Sequence, residues 1–532
     1  MTGEHRCVGR MRRPRGYGPL GLVGLLALGA CTSTTLIRGP VEGDTRGRGV
    51  IGAAGAPPPT SVPGLQEWER TSSLRGTQRW RLRHPAREGQ IAGFTTRASA
   101  LPGVPVDLRV STVARTYRVT AYRLGWYRGG TGLVVWRSGP LRGHEQPAPR
   151  FADLERRTVV APWRRTSLVD TDGWLPGVYL LKLHTARWEA HVPYVVRSPS
   201  VAGRVVLVAP VTTWQAYNDW GGYSLYTGPV GDRRSWAVSF DRPYPAPGSG
   251  ELLYGVAPVV LMAERARLPL AYLTNLDLHL EHHPLRAARA YVSMGHDEYW
   301  TPRMRRAVER ARDRGVNLAF LGANTMYWRI RLNGDGSDPA RVVVGYRSDS
   351  HLDPVVGPRR TGLFRDLPRR RAGEHTLTGM QYECFPVDAS YRVVSPGWWG
   401  FVGTGVRGGD AFPHLVGVEA DRVYPVPATP RPLQVLSHVE YSCGGVSTSA
   451  QSVYYSHRSG AGVFNAGTLR WTCALAARCQ PHVLGSRTRR FVRQVTVNVL
   501  REFARGPSGV RHPAADNLRR FALSSRNVVP AS

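Results

Sequence analysis

The chain has 532 residues, of which 42% are hydrophobic, and it carries 71 basic against 38 acidic residues for a formal net charge of +33. This length exceeds what one hydrophobic core commonly holds, so two or three domains are expected. The positive charge comes from scattered arginines, because Lys182 is the single lysine. The sequence carries no zinc-finger, RRM or basic-helix signature, so nucleic-acid binding is not expected. A basic surface is instead suited to anionic lipid headgroups or cell-wall polymers.

The N-terminus resembles a bacterial lipoprotein signal peptide. Five arginines lie between residues 6 and 15, and an apolar segment from Leu20 to Ala30 follows them. That segment is shorter than the ~20 residues of a membrane-spanning helix. It ends in Leu28-Gly29-Ala30-Cys31, which is similar to a lipobox. We therefore expect a signal peptide over residues 1–31, lipidation of Cys31, and anchoring to a membrane of the cell envelope. An ordinary signal peptide with an incidental cysteine is the alternative.

Two segments of different character follow the signal peptide. Residues 32–64 are rich in proline, glycine and small polar residues, which is typical of a tether. Residues 65–200 show β patterns, with alternation over Thr116–Leu124 and further apolar stretches at Gly177–Leu183 and His191–Val196. Short strands at regular spacing without helical periodicity predict a β-sandwich over residues 65–200.

From residue 201 to about 505 the pattern predicts an α/β domain. Apolar strands alternate with helical stretches at Leu252–Arg267 and Pro302–Arg314, and this alternation is typical of a parallel sheet. An irregular, β-like region after residue 330 leads to a core strand at Gly462–Gly467 and a closing helix at Arg489–Arg505. Residues 506–532 are expected to form a disordered tail. The predicted parallel strands are Arg204–Ala209, Ala271–Leu273, Ala290–Met294 and Leu318–Leu321.

Four cysteines remain after Cys7 and Cys31 are set aside, and four cysteines permit three disulfide connectivities. Cys473 and Cys479 are close enough in sequence to close a small loop, which leaves Cys384 to pair with Cys443. The spacing does not resemble a zinc site. No cysteine lies on a Gly-x-Cys-x-Gly turn, so a cysteine nucleophile is not expected.

Polar side chains follow each of the four predicted parallel strands. Because the carboxyl ends of parallel strands meet at one edge of a sheet, these groups predict a pocket there. The most informative turn is Gly295-His296-Asp297-Glu298-Tyr299-Trp300, with an imidazole beside two carboxylates. The other turns carry Tyr217, Asn275, Asp277 and Asn324.

The chemistry of these turns is selective. There is no Gly-x-Ser-x-Gly elbow, no P-loop, and no Gly-x-Gly-x-x-Gly after the first strand, so a dinucleotide is disfavoured. His296 and Glu298 together with a phenol can bind a hard metal ion through anionic oxygens. They can also serve as a metal-free acid–base pair.

These motifs resemble a known family. Trp214–Asn218, Gly295–Trp300 and Gly322–Asn324 are similar to the C-terminal domain of the N,N-dimethylformamidase large (beta) subunit, and Arg123–Tyr127 is similar to the β-sandwich that precedes it. The resemblance covers residues 65 to 505. It implies that the α/β domain has a class I glutamine amidotransferase-like, Rossmann-like fold that has lost its cysteine nucleophile.

The resemblance also implies a mononuclear iron held by two tyrosines and one glutamate. Tyr217 and Glu298 match the motifs that carry one tyrosine and the glutamate. Tyr179 has the most suitable spacing for the second tyrosine, with Tyr194 as the alternative. His296 and Asn324 match the His and Asn that complete the catalytic site.

The expected function is hydrolysis of a C–N amide bond in a small amide substrate that the sequence does not identify. The resemblance also includes a small subunit that is not represented in this chain. The alternative is a non-catalytic envelope lipoprotein in which the tryptophan-rich turns bind a polymer or a protein partner.

Changing Cys31 to Ser is expected to move the protein from the membrane fraction to the soluble fraction, because serine does not provide the thiol that carries the lipid. Fractionation and immunoblotting measure this, and Cys7→Ser is the matched control that should stay with the membrane. A Cys31→Ser variant that still partitions with lipid would contradict the anchor.

Overall fold

The structure is a computed structural model that describes residues 71–229, 233–334, 340–366, 373–476, 479 and 482–525. The predicted signal peptide, Cys31 and the tether over 32–64 lie outside the described residues. The described part is a mixed α/β structure, with many strands in several sheets and fewer helices. Within it, no helix has the length and apolar character needed to cross a membrane.

The strands of the described residues are numbered in chain order: β1 Ile91–Thr95, β2 Ser99–Ala100, β3 Val106–Thr112, β4 Thr116–Tyr127, β5 Gly130–Arg137, β6 Leu141–Arg142, β7 Arg150–Asp153, β8 Thr158–Val160, β9 Ser167–Val169, β10 Gly177–His184, β11 Glu189–Val196, β12 Val205–Ala209, β13 Ala237–Ser239, β14 Leu270–Thr274, β15 Ala290–Met294, β16 Tyr299–Trp300, β17 Asn317–Leu321, β18 Trp328–Arg329, β19 Arg331–Asn333, β20 Val342–Val344, β21 Gly362–Leu363, β22 Gln381–Arg392, β23 Ala411–Arg422, β24 Leu433–Cys443, β25 Val446–Ser456 and β26 Gly462–Asn465.

The α-helices of the described residues are α1 Val211–Tyr217, α2 Ala257–Arg265, α3 Asn275–Leu280, α4 Pro302–Arg312, α5 His375–Thr378, α6 Arg470–Cys473, α7 Ser486–Ala504 and α8 Ser508–Arg511. A π-helix at Leu252–Val256 runs directly into α2. Short 3-10 helices lie at Arg347–Leu352, Gly357–Arg359, Trp399–Phe401 and Leu518–Arg520.

The N-terminal strands form two sheets, one with the order β1-β3-β9 and one with the order β2-β11-β10-β4-β5, to which β6 adds by pairing with β4. Successive side chains of a strand point to opposite faces. In β10, Leu181 and Leu183 therefore join a core shared with β3. Val178 and Leu180 join the larger core of the α/β part, which is the part of the structure from residue 201 onward. The larger sheet is thus apolar on both faces.

A buried ion pair fastens the larger N-terminal sheet to the α/β part. Arg123 in β4 lies 2.8 Å from the Glu264 carboxylate in α2, and both side chains are buried. Tyr272 of β14 donates to the same Glu264 oxygen at 2.8 Å, and Arg123 itself donates to Tyr127 at 2.7 Å. A buried charge pair of this kind requires that its remaining hydrogen-bonding groups be satisfied. Here the two phenols, the Trp126 amide and the Pro176 carbonyl satisfy them.

The main sheet has the order β14-β12-β15-β17-β26-β25-β24. The pairs from β14 to β26 are parallel, whereas β25 and β24 are antiparallel. All five residues of β12, β14, β15 and β17 are buried, which explains the continuous apolar runs of the sequence, because helices and other strands cover both faces. The prediction of parallel strands at these positions is confirmed.

Some predicted elements begin and end where the sequence predicted, whereas others differ. The strand Ala290–Met294 is confirmed without change, and the helix predicted from Pro302 begins there because Thr301 accepts a hydrogen bond from the Met304 amide. The stretch predicted as one helix from residue 252 is divided into the π-helix and α2. The closing helix α7 begins three residues earlier than predicted.

The prediction of a disordered tail is wrong for residues 506–525. Asn317, fully buried in β17, accepts hydrogen bonds from the Ser508 amide and hydroxyl at 2.9 and 3.1 Å. Its own amide donates to the carbonyls of Phe503 and Gly506 at 3.1 and 2.7 Å. Tertiary hydrogen bonds to one core asparagine therefore order a polar segment, and composition alone does not reveal such bonds.

Both predicted disulfides are present: Cys384 is bonded to Cys443, and Cys473 to Cys479. The first closes a loop between residues 59 positions apart, and the second between residues 6 positions apart. In the chain-entropy view, the longer loop constrains the unfolded chain more.

Replacing Cys384 and Cys443 together by alanine is expected to lower the free energy of unfolding by about 2–4 kcal/mol. The matched double variant at Cys473 and Cys479 should lose less, because its loop is shorter. Denaturant unfolding of the wild type and of each double variant, with and without a reductant, measures the two losses of unfolding free energy. An equal or larger loss for the short loop would contradict the loop-entropy explanation.

Candidate active site

The turn after β15 is shaped by close backbone packing. Gly295 has a φ of +74°, a left-handed conformation that favours glycine. A Cβ at Gly295 would lie 2.9 Å from the Cα of Gly255 in the π-helix. A Cβ at Gly322, in the turn after β17, would lie 2.2 Å from the Gly295 carbonyl oxygen. Glycines at these three places let two strand ends and the π-helix meet at the edge of the sheet.

Glu298 lies at this edge and is buried among tyrosine hydroxyls. Tyr217, the last residue of α1, donates to one carboxylate oxygen at 2.8 Å. Tyr226 donates to both carboxylate oxygens, at 2.8 and 2.9 Å. The Tyr217 and Tyr226 hydroxyls are themselves 2.9 Å apart, and Tyr299 donates to Tyr226 at the same distance. Two phenol oxygens and a carboxylate therefore converge on one small volume.

Positive charge balances this carboxylate from two sides. The guanidinium of Arg347 lies 3.7 Å from the centre of the Tyr226 ring. Burial raises the pKa of Glu298, whereas His296 and Arg347 oppose that rise. Burial and the Glu298 charge together raise the pKa of Tyr217 and of Tyr226 well above the usual value for a phenol.

His296 lies between two carboxylates. Its Nε2 is 3.4 Å from a Glu298 oxygen and 3.2 Å from a Glu419 oxygen. Burial opposes protonation of the imidazole, but Glu419, Glu298 and Glu251 outweigh burial and raise the pKa of His296 to about 10. These carboxylates therefore favour the protonated form of the imidazole. Glu419 lies in β23, and Glu251 directly precedes the π-helix.

Asn324 follows β17 in a left-handed conformation, with a φ of +56°. Its backbone amide donates to Asp421 at 2.8 Å, and burial raises the pKa of that carboxyl to about 7. Its buried side-chain oxygen has no hydrogen-bond partner among the described residues. The Asn324 side chain therefore keeps hydrogen-bonding capacity for another molecule.

Other polar residues of the predicted pocket have structural contacts. Asp297 accepts from Ser293 and Trp300 at 2.9 and 2.8 Å, so it holds the turn, and burial raises its pKa to about 6. Asp277 caps α3 by accepting from the Thr274 amide at 2.6 Å. Asn275 donates to Thr212 at 2.6 Å. These contacts position the backbone of the site.

The structure does not place Tyr179 or Tyr194 at this site, and the expectation based on spacing is wrong. Tyr179 donates to the Leu175 carbonyl at 2.5 Å and stacks on Trp174. Both tyrosines belong to the core between the two N-terminal sheets. Sequence spacing failed because β10 and β11 turn these rings to the face away from the α/β part.

Tyr226 and Glu419 are the residues that sequence reasoning missed. Tyr226 lies in an irregular segment, where no periodicity predicts its direction, although it follows Tyr217 by only nine positions. Glu419 lies more than a hundred residues after Glu298, on a strand outside the main sheet. No local signal distinguishes either residue.

The donor set fits a hard metal ion. Phenol and carboxylate oxygens suit such ions. The hydroxyl oxygens of Tyr217 and Tyr226 and the Glu298 carboxylate lie within hydrogen-bonding distance of one another. A cavity of about 230 Å³ is lined in part by Tyr217, Trp214 and Glu251. This volume is suited to a small molecule.

Changing Thr213 to Val is expected to destabilise the protein by about 1–3 kcal/mol, because two buried amides would lose their acceptor. The Thr213 hydroxyl accepts from the Glu298 and Tyr299 amides at 3.0 and 3.3 Å. Thr213→Ser keeps the hydroxyl and is the matched control. Denaturant unfolding measures the difference, and equal stability of both variants would contradict the role of this hydroxyl.

A known protein family matches most of the chain. The family described as N,N-dimethylformamidase beta subunit-like, C-terminal, matches residues 118–482. The match begins inside β4 and includes Tyr217, Tyr226, Glu298 and Glu419, so it covers most of the larger N-terminal sheet and most of the α/β part. No curated protein matches the chain. Because the match covers more than half of its length, the chain belongs to the N,N-dimethylformamidase beta subunit-like, C-terminal family.

Proposed function

We propose that this protein is an iron-dependent amidohydrolase that cleaves a C–N amide bond of a small substrate and is anchored in the cell envelope through Cys31. The observation that carries the proposal is the convergence of the Tyr217 and Tyr226 hydroxyls on the buried Glu298 carboxylate. Family membership supports amide hydrolysis as the reaction class.

Tyr217, Tyr226 and Glu298 would hold the iron, with Tyr226 in place of Tyr179. When bound, iron supplies Lewis acidity toward an amide carbonyl and lowers the pKa of water. The stacked rings of Tyr217 and Tyr226, 4.3 Å apart, and the Arg347 guanidinium over Tyr226 keep the two phenols in place. This rigidity favours a preorganised site.

His296 is the group that moves a proton. Its Nε2 faces Glu298 and Glu419, so the imidazolium is stabilised by charge and can donate to the departing amine. Glu419 would orient the ring and stabilise its protonated form before the proton is donated. The Oδ1 of Asn324 has no hydrogen-bond partner among the described residues, so this side-chain amide is available to a substrate, and its Nδ2 would donate to the oxyanion that develops on the carbonyl.

The finer description of the fold is part of this proposal. The two N-terminal sheets would be the halves of a β-sandwich, because β3 and β10 share one core. The parallel strands β14, β12, β15, β17 and β26 would be the core of an amidotransferase-like domain. The site residues follow the carboxyl ends of β12, β15 and β17, which is where ligands bind in open α/β sheets.

Changing Tyr226 to Phe is expected to lower the iron content of the purified protein, as Tyr217→Phe and Glu298→Gln should, because each change removes an anionic oxygen. Tyr179→Phe is the matched control and should keep its iron. Elemental analysis measures content, and loss of the visible tyrosinate-to-iron absorption provides a second readout. Iron that is insensitive to Tyr226→Phe would overturn the ligand assignment.

Changing His296 to Asn is expected to leave the iron content unchanged but to slow hydrolysis by ~10²–10⁴-fold, the usual contribution of a general acid–base group. Release of amine from a panel of small N-substituted amides measures the rate. Folded wild-type protein without metal and without hydrolysis would instead favour a non-catalytic lipoprotein that binds a polymer or a protein partner.

A further inference from the structure

A second cluster of metal-binding side chains lies at the surface, apart from the Glu298 site. Asp388 is in β22, His414 is in the antiparallel partner β23, and His482 follows the disulfide of Cys473 and Cys479. One ligand atom from each lies within 4.8 Å of the others. The His414 Nδ1 is 2.9 Å and the His482 Nε2 is 3.4 Å from the same Asp388 oxygen.

The spacing of these atoms suits a transition metal. Imidazole nitrogens and carboxylate oxygens bind Zn²⁺ at about 2.0–2.2 Å, so tetrahedral ligands lie about 3.3–3.5 Å from each other. The two imidazole rings are stacked, 4.1 Å apart and 13° from parallel. They need only tilt toward each other to meet one ion, and side-chain exposures of 49% for His414 and 30% for His482 leave room for that tilt.

Arg470 supports two of these residues from beneath. Its buried guanidinium pairs with the other oxygen of Asp388 and donates to the His414 backbone carbonyl at 2.9 Å. The Asp388 oxygen that does not pair with Arg470 is therefore left facing the two imidazoles. His414 is also held in a left-handed conformation, with a φ of +59°. Groups that orient the ligands in this way are a regular part of protein metal sites.

The short helix α6, which contains Arg470, also holds His482 near the cluster. Arg470 begins α6 and Cys473 ends it, and Cys473 is bonded to Cys479, three residues before His482. The disulfide therefore limits how far His482 can move from Asp388. Three segments that are distant in sequence are brought to one point by contacts that do not require the imidazoles.

We propose that Asp388, His414 and His482 bind one Zn²⁺, with solvent completing the coordination, and that the ion joins the β22–β23 hairpin to the segment after the disulfide. Two imidazoles in the donor set favour zinc over magnesium or calcium, which prefer oxygen ligands. The site shares no ligand with the iron site proposed above and does not depend on it.

The test is isothermal titration of the full chain with Zn²⁺ in detergent, after treatment with a chelator. In a Glu298→Gln background, which weakens the proposed iron site, one equivalent of zinc should still bind. His414→Gln and His482→Gln should each lose that equivalent. His457→Gln is the matched control and should retain it, because His457 lies 3.6 Å from Asp313 and no third ligand joins them among the residues that the structure describes.

Thermal unfolding provides a second readout. In the same Glu298→Gln background, zinc should raise the unfolding temperature of the protein with and without His457→Gln, but not with His482→Gln, because an ion that binds only the folded state stabilises it. The proposal is overturned if His414→Gln and His482→Gln bind zinc like the wild type, or if zinc uptake disappears with Glu298→Gln alone. In either case the cluster is only an ion pair supported by Arg470.

Discussion

The arrangement of the site depends on the burial of one carboxylate, Glu298, at the carboxyl edge of a parallel sheet. Removing a carboxylate from water is costly unless it is paired and hydrogen-bonded. Here two tyrosine hydroxyls donate to it, a histidine lies 3.4 Å away, and Arg347 stacks over one of the phenols. The requirement to satisfy this charge brings together α1, the irregular segment with Tyr226, and the turn after β15. The same oxygens that satisfy the carboxylate are those that a hard metal ion would use.

A second constraint fixes the N-terminal sheet to the rest of the protein. The Arg-Leu-Gly-Trp-Tyr motif at residues 123–127 is explained by the Glu264 carboxylate, which pairs with Arg123 and accepts the Trp126 amide at 2.9 Å. A Cβ at Gly125 would lie 2.1 Å from that carboxylate, so glycine is required there. The motif therefore stabilises an interface between two parts of one compact unit.

Several acidic residues of this basic chain are buried where they have structural contacts. Glu264, Glu298 and Glu419 are buried, each beside a cation or a histidine. The raised pKa of His296, about 10, results from such carboxylates outweighing burial. In a protein with a net charge of +33, buried acids of this kind provide local negative potential that the overall charge does not predict.

The sequence by itself determined the parallel strands and the turn that carries His296 and Glu298, because these depend on local apolar runs and on short-range capping such as Thr301 before α4. Of three possible disulfide connectivities it favoured the one that the structure has, because Cys473 and Cys479 are close in sequence. It also placed Tyr217 and Asn324 at the correct edge, since parallel strands end on one side of a sheet. It misplaced the second tyrosine and missed Glu419, and it took residues 506–525 for disorder. Only the tertiary structure decided these points: Tyr226 is directed by irregular backbone, Glu419 arrives on a distant strand, and the tail is ordered by the buried Asn317. Contacts between residues far apart in sequence leave no periodic signal in either partner, so packing alone determines where such side chains meet.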